Sequence, residues 1–365
     1  MVSDPVWQDS EVFRDAKHYH PTGDCIIRVQ NTLFKIHKFH LVHNSSVFAG
    51  MFDIPSGEQQ EEGKSDDSPI VLEGEEVFGF RSVLKYMYAG GMGMQIDVIP
   101  LSALREIIAV AEFADKYEMA DLKEWALSFI DRRIFAPPMV KAKQPLMDLP
   151  EQDLAALHEL YRRLDGDAAD GHRNLIMGTW CIHVAKNERP IAGALHAAEA
   201  SGQYNYLAEL YCVQLRRMKA HARVLTPTPF PSDDIPPVHL QRIYAGHCSL
   251  SLAWERLREV GVPFPYQPGT CPSERHHTKF CYSRLGKLWT EAISASEGIQ
   301  PDVTRMQHRL NLFVRHLRKH TELEDGRKWE CFARYSGPNG ALAKLADDFI
   351  LPAHFFPGLE WSITR

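Results

Sequence analysis

The chain has 365 residues, 44% apolar and 24% charged, with a formal net charge of −6. That length allows two or three domains, and the balance is that of an ordinary globular protein, not a collagenous or disordered one. The acidic excess argues against nucleic acid as the main partner, and no apolar run approaches the ~18 residues of a membrane helix.

In chain order, residues 1–20 form a polar N-terminal segment anchored at most by Val6, Trp7, Val12 and Phe13. Cys25, Ile26, Ile27 and Val29, then Leu33, Phe34 and Ile36, are two apolar runs separated by Gln30-Asn31-Thr32. Such runs predict a β-hairpin. The period then changes, with Leu41, Ser45, Phe48 and Phe52 recurring at three and four. This predicts a helix, or two short helices meeting near Asn44, with Ser45 capping the second. A hairpin running into paired helices is an α+β nucleus. Residues 55–68 are acidic and lack large apolar side chains, which predicts a solvated loop. Pro69–Leu72 reads as a further strand, and Glu75-Glu76 open a helix with Val77, Phe80, Leu84, Met87 and Tyr88 on one face. The GGMGM run that follows lacks the third glycine and the Lys-Ser/Thr of a phosphate loop. Residues 101–133 read as a helix pair lined by Leu101, Leu104, Ile107, Ile108 and Ala111, then by Leu122, Trp125, Ala126, Phe129 and Ile130. Pro137-Pro138 end the second helix.

Asp24, Phe34, His37 followed by a basic residue, Leu41, Ser45, Phe48 and Met51-Phe52, at these spacings, resemble the core motif of the BTB/POZ domain. The resemblance covers residues 21–136 and includes the ADKYEMADLK corner, residues 114–123. The layout is similar to fungal BTB proteins with a long helical extension. The resemblance implies a self-associating interaction module without catalytic residues or cofactors. It also implies that Asp24 and Lys38 meet in a charged pocket at a dimer interface. From the residues alone, the same pair equally well holds the hairpin against the helix. In adaptor members a hydrophobic-x-acidic triplet before the corner supports binding to a cullin. Glu106-Ile107-Ile108, at the expected place, lacks the acid, whereas Leu104-Arg105-Glu106 fits but sits two residues early. Leu104 and Glu106 are therefore the candidate cullin contact, although two positions two apart on a helix lie about 200° around its axis.

Helical periods continue around 151–164, 172–187, 190–200, 204–222, 239–260, 278–295, 302–320 and 340–350. These give a helical region at 137–224, a proline-rich loop at 225–237 and a second helical region at 238–365, the two helical parts able to form one domain. A second proline-rich break lies at 262–272. No repeat of fixed length appears. The aromatic residues of the C-terminal tail predict that it packs back on the helices.

Several clusters carry chemistry on paper. Asp24, His37 and Ser45 are the residue types of a hydrolytic triad, but no G-x-S-x-G turn accompanies them, so no enzyme is expected. His247, Cys248, Cys271, His276, His277 and Cys281 include zinc-ligand types, and Cys248, Cys271, His277 and Cys281 would make a four-ligand set. Against that set stand the long gap after Cys248 and the lack of a C-x2-C knuckle, and a cysteine also serves as a small core residue. No metal is expected. The stretch 305–320 has Arg305, Arg309, Arg315, His316, Arg318, Lys319 and His320 around an apolar face of Met306, Leu310, Phe313, Val314 and Leu317. A core helix with a solvated basic side is expected in preference to a nucleic-acid surface. The seven scattered cysteines and an N-terminal stretch without a visible secretory signal point to cytoplasm or nucleus. The expected function is a scaffold: a homodimer through the BTB domain, with an unidentified protein bound by the helical region and a cullin as a further partner if the chain is a ubiquitin-ligase adaptor. The alternative is a transcriptional or chromatin regulator using the same dimer. No membrane partner is expected.

Overall fold

The computed structural model describes residues 11–54, 62–90, 94–136, 145–186, 188–221, 235–320, 329–338 and 340–359. Val6 and Trp7, the first half of the acidic loop, most of the GGMGM loop, Pro137-Pro138, most of the first proline-rich loop and the last residues of the tail lie outside them. The chain divides into two compact units, Met1–Thr179 and Trp180–Arg365.

The first unit is built on a four-stranded sheet in the order β1-β3-β2-β4, with β1 Phe13–Tyr19, β2 Cys25–Val29, β3 Thr32–Ile36 and β4 Ile70–Val71. The hairpin β2-β3 is antiparallel with Val29 opposite Thr32, so the turn is Gln30-Asn31 and Thr32 already belongs to the strand. Gln30 takes φ 51° to close it, a left-handed conformation uncommon for a side chain with a Cβ. The segment that read as a polar leader contributes β1, which pairs in parallel with β3.

Five helices complete this sheet's core: α1 Lys38–Asn44, α2 Ser46–Asp53, α3 Val77–Tyr88, α4 Leu104–Lys116 and α5 Ala120–Ile130. Their apolar faces converge on an aromatic stack. Phe34 meets Phe80 edge-on at 5.0 Å, Phe80 lies 5.7 Å from Phe113, and Phe113 lies 4.3 Å from Tyr117. Phe48 stacks on Tyr117 at 4.6 Å. Ring pairs in these offset and edge-on arrangements add about 0.5–1.5 kcal/mol each beyond their burial. The expected faces of α4 and α5 are mostly inward, except that Leu101 and Trp125 are only half-buried, the Trp125 indole donating to the Met94 carbonyl at 2.7 Å.

The first unit continues beyond the expected boundary at 136. Helix α6, Glu151–Arg163, buries Leu154, Leu157 and Leu160. It is tied to α4 by Arg105, which donates to the Gln152 carbonyl at 2.9 Å. Helix α7, Asp167–Ala185, starts in this unit, where His172 stacks on Phe135 at 4.0 Å, and the boundary between the units falls within it.

The second unit is helical in its described residues: α8 Ala192–Ala200, α9 Tyr204–His221, α10 Pro237–Glu259, α11 Tyr282–Ile299, α12 Met306–Arg318, α13 Glu330–Ser336, α14 Ala341–Asp347 and α15 Leu351–Phe355. A turn of helix at Glu274–His276 and a π-helical turn at His277–Cys281 lead into α11. Tyr211, Trp254, Phe313, Phe332 and Phe355 are buried at its centre. Trp289 packs edge-on against Phe313 at 4.7 Å and donates its N–H to the Leu257 carbonyl at 3.0 Å. The tail folds back as its aromatic content predicts, with Phe355 and Phe356 buried. Helices α13 and α15 are too short for their periods to stand out in the sequence.

Candidate functional site

The stretch that carries the motif sits where the hairpin meets α1. The first amide of that helix, the N–H of Lys38, donates to the Asp24 carboxylate at 2.7 Å. Helix N-terminal amides lack partners within the helix, so a carboxylate brought from a neighbouring strand satisfies one and suits the positive end of the helix. The Lys38 ammonium does not face Asp24 as an ion-pair partner. It lies over the Phe52 ring, 4.4 Å from its centroid. The two residues meet, through the backbone, and Asp24 is exposed. His37, just before α1, is held on three sides. Its backbone N–H donates to the Tyr88 hydroxyl at 2.9 Å, its Nδ1 lies 3.0 Å from that hydroxyl, and its Nε2 lies 3.1 Å from Thr22 Oγ1.

The tilted rings of His20 and His40 pack against Tyr88 at 4.6 and 4.5 Å, and His18 lies 6.1 Å away. Burial lowers the His18 and His40 pKa values below the usual histidine range, so both rings are neutral at pH 7. The sequence reading missed this grouping, whose linear signals are the closely spaced pairs His18 and His20, then His37 and His40.

The remaining motif positions are structural. Phe34, Leu41 and Phe48 are fully buried, and Met51 and Phe52 are half-buried. Ser45 caps α2 as expected, accepting from the Phe48 N–H at 3.0 Å, and also donates to the Tyr117 carbonyl at 2.6 Å. Asp24, His37 and Ser45 are each engaged with other groups and do not converge as a triad. Leu104 is buried, 1% exposed, and Glu106 pairs with Lys85 at 2.5 Å. They present no common face because Leu104 already lies in a helix, preceded by the 3-10 turn Leu101–Ala103.

Around this nucleus, large apolar side chains stay in water: Val12 and Phe13 at β1, Val47 on α2, Ile54 at its end, and Phe39 on α1, which is 65% exposed and stacks on His43 at 5.1 Å. A family model for the BTB/POZ domain matches residues 13–133. Residues 13–133 are a BTB/POZ domain. The match begins at β1 and ends after α5, so the sheet, the motif and the corner all belong to it. BTB domains are protein-interaction modules, and this one supports that role for the chain. No curated protein matches the chain. No helix among the described residues is long and apolar enough to cross a membrane.

Beyond the BTB domain, the basic helix α12 is a core helix. Arg309 is buried, its guanidinium 4.6 Å from the centroid of the Trp254 ring and its Nε donating to the Gln300 carbonyl at 2.8 Å. Arg318 donates to the Ser336 carbonyl at 3.1 Å. The cysteine and histidine set divides. Cys248 and His247 are exposed on α10, while Cys271, His277 and Cys281 come together, joined by Cys331 from α13. Cys331 was missed because it stands far along the chain, where no spacing rule reaches.

Proposed function

We propose that the protein is a non-enzymatic interaction scaffold that self-associates through its BTB domain and binds a second protein through its helical region. The supporting observation is the exposed apolar set Val12, Phe13, Phe39, Val47 and Ile54 on β1, α1 and α2. Aromatic and aliphatic side chains are what obligate homodimers bury, over areas that commonly exceed ~2,000 Å². Helix α1 has only Leu41 fully buried within its own chain, which leaves its Phe39 side free for a second copy. Light scattering of the full chain at micromolar concentration is expected to give twice the monomer mass. Phe39→Glu is expected to give the monomer with an unchanged circular dichroism spectrum. A wild-type monomer would remove self-association from this reading, and a dimeric Phe39→Glu would move the interface off α1.

A role as adaptor of a cullin-type ubiquitin ligase would need a contact surface other than Leu104, since that side chain is buried. Calorimetry against a cullin N-terminal domain is expected to show no submicromolar binding. Tight binding lost in Glu106→Ala would restore the adaptor role. The chromatin-regulator alternative rests on the same dimer and has no separate observation in its favour.

A further inference from the structure

The second unit brings four soft ligand atoms to one point. Cys271 Sγ lies 3.5 Å from His277 Nδ1 and 3.6 Å from Cys281 Sγ. With Cys331 Sγ, all four atoms lie within 4.8 Å of one another. A tetrahedral zinc ion with Zn–S of ~2.3 Å and Zn–N of ~2.0 Å holds its sulfurs about 3.8 Å apart and a sulfur and a nitrogen about 3.5 Å apart. The two distances fit that polyhedron. They do not fit a disulfide, whose sulfurs are ~2.05 Å apart. We propose that Cys271, His277, Cys281 and Cys331 form a structural Zn²⁺ site that fastens three segments of the helical unit.

Three features of the surroundings point to a ligand set rather than to chance packing of small core residues. His277 Nε2 lies 2.9 Å from the Phe264 carbonyl, to which only an N–H can donate. That bond puts the ring proton on Nε2 and leaves Nδ1, the atom facing the thiols, with a free lone pair. Backbone-carbonyl orientation of the remote nitrogen is the usual support for a metal-bound histidine. Second, the backbone is specially shaped at Cys271, His277 and Cys281. Gly269 takes φ 82°, in a turn closed by the Thr270 N–H to the Gln267 carbonyl at 3.2 Å, and Cys271 follows at once. His277 and Cys281 sit at the two ends of the π-helical turn, and turns of this kind are frequent at functional sites. Third, His277, Cys281 and Cys331 are buried, within an aromatic shell of Phe264, Trp329, Phe332 and Tyr335 that limits solvent access.

The chemistry selects the ion. Three thiolates and an imidazole suit zinc, whereas carboxylate-poor sites do not hold magnesium or calcium. Four protein ligands leave no open position, so the site is structural and not catalytic. It pins the loop after α10, the start of α11 and helix α13 together. A zinc site of this type stabilises only the folded chain, since its ligands are not assembled in the unfolded one.

The test uses the full chain without a polyhistidine tag, purified without chelator. Elemental analysis is expected to find about one zinc per chain, retained in Cys248→Ser and lost in Cys331→Ser. Adding EDTA is expected to lower the wild-type melting temperature, and zinc to restore it. Because Cys331→Ser also alters a buried position, wild-type protein loaded with Co²⁺ provides a second readout. Visible d–d bands of tetrahedral intensity with thiolate-to-cobalt charge transfer are expected. Absence of stoichiometric zinc from protein grown and refolded with zinc, together with octahedral cobalt spectra, would overturn the proposal. So would a Cys271–Cys281 disulfide in the freshly purified chain by mass spectrometry.

Discussion

Two residues of the BTB domain bear structural weight that their side-chain type alone does not announce. Asp15 on β1 is buried, accepts from the N–H groups of Lys17 and His18 at 3.0 and 2.8 Å, and pairs with Arg81 at 2.7 Å. Burial pushes its carboxyl pKa up, but the two N–H groups and the guanidinium outweigh this and the net shift is downward. A folded pKa below the unfolded value of about 4 means that the pair contributes stability above that pH, which is lost as pH falls through the folded value. Asp15→Asn is therefore expected to lose about 1–3 kcal/mol at pH 7, towards the low end because Arg81 is half-exposed. The gap to wild type should close below about pH 4 in urea melts at a series of pH values; a gap that stays constant with pH would contradict this. Ser45 serves α2 and the Tyr117 carbonyl with one hydroxyl. Ser45→Ala is expected to cost about 1–2 kcal/mol, combining a lost cap with a part-buried carbonyl left unpaired, and Ser45→Thr distinctly less. Equal losses in the two variants would mean that the hydroxyl is not what matters.

At the scale of elements, α10 and α15 pack closely in the second unit. Gly246 faces the Phe355 ring, and a Cβ built on it would fall 1.9 Å from Phe355 Cδ1. No backbone dihedral demands glycine there; the space does. Gly246→Ala is expected to destabilise by roughly 1–3 kcal/mol through overpacking. Phe355→Ala opens a cavity at a cost of about 3–5 kcal/mol, and that cavity is room for the new methyl. The double variant should therefore be more stable than the sum of the two losses implies, and simple additivity in thermal melts would show that the two side chains do not meet.

For the whole molecule, the division into Met1–Thr179 and Trp180–Arg365 means two separate cores. Chains with more than one core often depart from a single cooperative unfolding step. Calorimetric melting is expected to show two transitions, with Ser45→Ala moving one and Gly246→Ala the other. EDTA should move only the transition that Gly246→Ala moves, since the proposed zinc ligands all lie in the second unit. One transition that every variant moves alike would show that the two cores unfold as one.

Whatever depends on neighbours a few positions away was legible in the linear order of residues. Apolar runs around a polar turn marked the hairpin, and three-four periods marked α1 to α6 and most later helices, because side-chain direction repeats with the backbone. Ser45 could be read as a cap because a cap needs only the hydroxyl and the next three residues. The BTB domain was legible because its motif is a local string, Phe34 to Phe52. Tertiary structure alone decided the rest. Asp24 and Lys38 stand fourteen positions apart, and only the meeting of the α1 N-terminus with the residue before β2 shows that a backbone amide, not the ammonium, takes the carboxylate. Leu104 and Glu106 fit a contact triplet by spacing, and only the packing of α4 shows that Leu104 faces the core. Cys331 shows no relation to Cys271, His277 and Cys281 in the linear order. Chain spacing carries no information about segments brought together by a shared apolar core, and those four ligand atoms meet only because α11 to α13 fold onto it.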